Sequence, residues 1–154
     1  MRKKTTAWMI WIDDMLDRVS AAAPAVVLVV EDEPLLRELA VEFIEDAGFL
    51  ALEAGDAEEA VALLEARSDI AVVFTDINMP GNMDGLKLAH MVRDRWPTKK
   101  IVVASGRVRL APSEMPSNSF FLQKPYRGEA VVARLRSLVG PTGLQLRPLT
   151  SISR

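Results

Sequence analysis

Along this chain, uninterrupted apolar runs alternate with stretches in which apolar residues recur every three or four positions. Val26-Val27-Leu28-Val29-Val30, Ile70-Ala71-Val72-Val73-Phe74-Thr75 and Phe120-Phe121-Leu122-Gln123 are runs of the first kind. Aliphatic runs of this length read as strands buried on both faces, as in parallel sheets. Phe49 to Ala54 and Ile101 to Ala104 add a second and a fourth strand. After the first run, Pro34 suits the opening position of a helix, and Leu35, Leu36, Leu39, Ala40, Phe43, Ile44 and Ala47 keep helical spacing until Gly48 stops them. Asp56, a capping residue with Glu59 three places on, opens a helix to about Arg67. The turn-rich stretch Asn78-Met79-Pro80-Gly81-Asn82-Met83-Asp84-Gly85 leads into a helix ending near Arg95, before Trp96-Pro97. Val131, Val132, Leu135, Leu138 and Val139 mark a last helix, stopped by Gly140-Pro141.

Five strands alternating with helices predict an open α/β domain with helices on both faces of a parallel sheet. One segment breaks the alternation. Between Gly106 and Ser119 the chain carries Pro112 and Pro116 among serines and an asparagine, so the fourth helix is expected to be short or missing. The domain is expected over residues 24–140, after an extension of residues 1–23 and before a tail of residues 141–154 too short for an output domain. A chain of 154 residues, 49% hydrophobic, is long enough for one well-filled core and too short for two ordinary ones.

The amino-terminal segment needs its own decision. Arg2-Lys3-Lys4 and then Ala7-Trp8-Met9-Ile10-Trp11-Ile12 begin like a signal peptide, but the apolar stretch is short and Asp13, Asp14, Asp17 and Arg18 stand where it would continue. No run approaches the roughly 20 apolar residues of a membrane span, and a soluble, cytoplasmic protein is expected. Residues 8–19 nevertheless carry more apolar surface than a free tail should expose. Three readings are open: a helix docked on the domain or on a second subunit of a homodimer, a partner-binding segment, or sequence upstream of the true start. A net charge of −2 argues against nucleic acid as partner, and the lack of cysteine excludes disulfides, thiolate metal sites and cysteine nucleophiles.

Charge gathers where the apolar runs end. Glu31-Asp32 follow the first strand, Asp76 the third, Ser105 the fourth and Lys124 the fifth, and ligands of open parallel sheets collect at the carboxyl ends of strands. Two carboxylates about 4 Å apart repel by about 4 kcal/mol at an effective dielectric of about 20, so three of them require a counter-charge or protons. Few protein ligands, all oxygen, suit magnesium, which binds one or two carboxylates together with a phosphate and keeps several waters. Lys124 can hold a phosphoryl oxygen as a point charge and Ser105 can donate a hydroxyl. This is a site for phosphoryl transfer to a carboxylate.

Glu31-Asp32, Asp76-Ile77-Asn78-Met79-Pro80 with Asp84-Gly85, Ser105-Gly106 and Lys124-Pro125, in that order, resemble the receiver domain of two-component response regulators, the CheY-like, flavodoxin-like fold. The resemblance implies a sheet in the order 2-1-3-4-5. It implies that Asp76 accepts a phosphoryl group from a phosphohistidine of a sensor histidine kinase or histidine phosphotransfer protein. Mg2+ would be held by Asp32, Asp76 and the backbone carbonyl of Asn78, with Glu31 acting through a water. Ser105 and Lys124 would each take a phosphoryl oxygen, the Lys124-Pro125 bond would be cis, and Ser105 with Phe121 would form the switch. The protein would then be a stand-alone receiver signalling by conformational change or partner binding, with no enzymatic activity beyond its own phosphorylation and dephosphorylation.

Several residues depart from the family pattern. Glu31 stands where aspartate is common, Ser105 where threonine is frequent, and Phe121 where many members have tyrosine. Asn78 and Arg107, each two residues after a strand-end residue, occupy the positions that tune phosphoryl lifetime in the family. Arg107 reads either as a group that reaches the phosphoryl oxygens or as a solvated loop arginine. The alternative function is a small Mg2+-dependent phosphatase with an aspartyl-phosphate intermediate. Enzymes of the haloacid-dehalogenase type place a general acid two residues after the nucleophile, where this chain has Asn78, which cannot supply a proton. A flavin-binding domain would need a Ser/Thr-rich phosphate loop after the first strand, and the carboxylates there would repel the cofactor. His90, the only histidine, is expected to be structural.

Overall fold

A computed structural model describes residues 7–21, 24–106 and 110–139. Helix α1 spans Ala7–Ala21 and leads into β1, Val26–Val30. Then come α2 (Pro34–Asp46), β2 (Leu50–Ala54), α3 (Ala57–Ala66), β3 (Ile70–Asp76), α4 (Gly85–Arg95), β4 (Lys100–Ser105), β5 (Ser119–Gln123) and α5 (Gly128–Val139). The strands form one parallel sheet in the order β2-β1-β3-β4-β5. In place of a fourth helix between β4 and β5, the described residues contain a single 3-10 turn, Pro112–Glu114. Arg107 and the tail after Val139 lie outside the described residues.

Every residue of β1 is buried, because alternate side chains point to opposite faces and both faces are covered. Val26, Leu28 and Val30 join Ala60 and Leu64 of α3 and Leu88, Ala89 and Val92 of α4 in one core. Val27 and Val29 join Ala40 and Ile44 of α2 and Val131 and Leu135 of α5 in the other. Local chemistry sets the ends of the helices. Asp56 accepts a hydrogen bond from the Glu59 amide at 2.8 Å and caps α3, and Asp84 does the same for α4 through the Lys87 amide at 2.8 Å. Gly48, at φ 95°, takes the left-handed turn that stops α2.

The β4–β5 connection is held to the domain by α4. A His90 ring nitrogen lies 2.8 Å from the Glu114 carbonyl oxygen, and Arg93 donates to the carbonyls of Pro97 and Asn118 at 2.7 and 3.0 Å. His90, exposed on α4, thus joins that helix to the connection. At the amino-terminal edge of the sheet the Lys99 ammonium donates to the carbonyls of Ile70 and Ser68 at 2.6 and 3.3 Å, and burial holds its pKa below the ordinary lysine value.

Candidate functional site

The three central strands and β5 deliver the charged residues to one edge. The chain leaves β1 under control of a ladder bond from the Glu31 amide to the Ala54 carbonyl at 3.1 Å. Arg37 of α2 donates to the Glu31 carbonyl at 2.8 Å, and the Glu33 amide donates to the Glu31 carboxylate at 3.3 Å. These contacts fold the Glu31 side chain under the loop, where it is buried, while Asp32 remains partly exposed. Asp76 ends β3, paired with Ala104 of β4, and the Ile77 amide continues the ladder to the Ala104 carbonyl at 3.1 Å. Lys124 follows β5, its amide donating to the carbonyl of the fully buried Ser105 at 2.9 Å, and the Lys124-Pro125 bond is cis.

These elements bring Glu31, Asp32, Asp76 and Lys124 together. The Lys124 Nζ lies 3.3 Å from Glu31 Oε2 and 3.3 Å from Asp76 Oδ2, and oxygens of Glu31, Asp32 and Asp76 all lie within 4.8 Å of one another. Burial pushes the Glu31 carboxyl above its ordinary pKa; Asp76 adds to this, while Lys124 and the Glu33 amide oppose it. For Lys124 burial works against the charge, but Asp76 and Glu31 outweigh it and hold the ammonium above the ordinary lysine value. One ammonium against three carboxylates leaves negative charge at the edge, and a hard divalent cation with oxygen ligands fits that donor set. Beneath it Tyr126 packs edge-on against Phe74 and Phe43, with ring centroids 5.8 and 6.4 Å away, and burial raises its phenol pKa.

Two contributions escape the sequence pattern. Nothing in the spacing of Arg37 announces that it reaches back to the carbonyl of Glu31. The role of Gly85 is signalled only by the Asp84-Gly85 pair, which reads as a turn. Its amide donates to the Ile77 carbonyl at 2.9 Å, and a Cβ there would overlap the Asp76 carbonyl, so the start of α4 rests on the backbone of Asp76. Asn78 is exposed beside the site, and Phe121 is partly buried against the core that contains α3 and α4.

The family model described as the response regulator receiver domain matches residues 27–136. The chain belongs to this family. The receiver domain is 31% identical over 110 residues to the nitrogen assimilation regulatory protein NtrX of Azorhizobium caulinodans, an alignment covering 69% of this chain and 24% of that protein. It is 32% identical over 126 residues to the probable transcriptional regulatory protein TcrX of Mycobacterium tuberculosis, covering 79% of this chain and 52% of the relative. The chain thus spans from about a quarter to about half of the length of these curated relatives. Among solved structures, a response regulator receiver protein from Sinorhizobium medicae superposes with a TM-score of 0.71 at 27% identity, covering 75% of this chain and 94% of the other. Among the described residues of the receiver domain no helix is long and apolar enough to cross a membrane.

Proposed function

We propose that this receiver domain takes a phosphoryl group onto Asp76 from the phosphohistidine of a sensor histidine kinase or a histidine phosphotransfer protein in the cytoplasm, and signals through conformational change or partner binding. The observation that carries the reading is the convergence of three carboxylates on a lysine that spans two of them at 3.3 Å each. An Asp76 carboxylate oxygen attacks phosphorus, the P–N bond breaks, and the imidazole leaves with the bonding electron pair. Asp32, Asp76 and the Asn78 carbonyl would hold Mg2+, with Glu31 acting through a water, and the ion would supply charge neutralisation for the phosphoryl oxygens.

Lys124 then exchanges a carboxylate partner for a phosphoryl oxygen, which costs it no charge compensation. Ser105 donates its hydroxyl to a second oxygen, and its movement lets Phe121 turn by steric means alone, since Phe121 has no hydroxyl. Asn78 and Arg107 hold the two sequence positions that tune the lifetime of the group. Beyond its own phosphorylation and dephosphorylation the domain catalyses nothing.

Incubation with Mg2+ and a small acyl-phosphate donor, followed by intact mass measurement, tests the reading. Wild type acquires one phosphoryl adduct that EDTA prevents, and Asp76→Asn acquires none. An unmodified wild type, or an undiminished adduct on the variant, rejects it.

A further inference from the structure

Two apolar helix faces, one on α1 ahead of the receiver domain and one on α2 within it, are uncovered among the described residues. On α1, Trp8, Trp11 and Met15 are 60%, 64% and 42% exposed; on α2, Leu35, Leu36 and Leu39 are 62%, 40% and 49% exposed. At 100° per residue Trp8, Trp11, Ile12 and Met15 share one side of α1, with Asp13 and Asp14 on the other. Leu36 and Leu39 line an open groove of about 860 Å³ with Phe43 and Tyr126. Single exposed apolar residues are ordinary, but two contiguous sets on two helices of one small chain are not.

We infer that α1 of one copy docks on α2 of a second copy, and reciprocally, in a two-fold dimer. Within a single chain both faces stay open; a two-fold pair covers all four at once. The area is sufficient: a buried tryptophan contributes about 150–250 Å², so four indoles supply roughly 600–1,000 Å². The six facing leucines carry the sum toward the roughly 1,200–2,000 Å² of stable interfaces. Neither the contact nor its test involves Asp76.

Sedimentation equilibrium of the full chain at micromolar concentrations decides it, with circular dichroism confirming that each variant is folded. Wild type associates to a dimer. Trp8→Glu with Trp11→Glu and Leu35→Glu with Leu39→Glu each weaken association at least tenfold. All four of these side chains are exposed in the single chain, so their replacement spares the core. A monomeric wild type overturns the inference, including one whose blue-shifted tryptophan emission reveals α1 folded onto its own domain. A dimer indifferent to both the α1 and the α2 variants overturns it equally.

Discussion

Lys124 lies at equal distance from carboxylates that arrive on two different strands, so its charge stabilises both. Because its folded pKa stands above the ordinary lysine value, that stabilisation is fully present below the ordinary value and is lost as the pH rises through the raised one. Glu31 has the same pH sign from a different cause, since burial disfavours its charged form. Its raised pKa means that the folded state binds the proton more tightly than the unfolded state, so ionisation costs stability as pH climbs past the ordinary glutamate range. Lys124→Met leaves two poorly solvated carboxylates facing each other and is expected to lower stability by about 1–3 kcal/mol at neutral pH. The loss shrinks at acid pH, where the carboxylates take up protons. Urea unfolding at the two pH values checks this; a pH-independent loss would indicate packing of the lysine stem instead.

At the scale of elements, the β4–β5 connection replaces a helix with one 3-10 turn tied to α4 by His90 and Arg93. His90→Ala with Arg93→Ala is expected to speed amide exchange of residues 110–118 at least tenfold while β1 and β3 keep their protection. Global stability should fall by no more than about 2 kcal/mol, three exposed hydrogen bonds being lost at roughly 0.5 kcal/mol each. The turn was legible because Pro112 and Pro116 deny a helix its amides. The strands were legible for a related reason, since a buried parallel strand such as β1 must be apolar at every position. Boundaries moved by a residue or so: β4 begins at Lys100 and runs to Ser105 because ladder pairing extends past the apolar run on both sides. Glu31, Asp32, Asp76 and Lys124 were readable as strand-end charges. Arg37 and the backbone role of Gly85 were not, because each depends on a contact between segments that local periodicity does not encode.

For the molecule as a whole, excess negative charge at one edge means that the metal-free domain pays for its own site. Without Mg2+, stability is expected to decline as pH rises above the ordinary glutamate pKa of 4.5, the direction set by Glu31. Saturating Mg2+ should offset the decline and stabilise the fold by about 2.7 kcal/mol at a hundredfold excess over Kd. Thermal melts with and without Mg2+ measure this; Asp32→Asn should abolish most of the increment, and an increment unchanged in that variant would place the ion elsewhere. The close seat of Gly85 on the Asp76 carbonyl has a mechanical consequence. With no side chain between them, α4 behaves as a lever whose fulcrum is the backbone of Asp76. A shift of the Asp76 backbone is therefore expected to move the first turn of α4, and Gly85→Ala, whose Cβ would overlap the Asp76 carbonyl, to push the two apart.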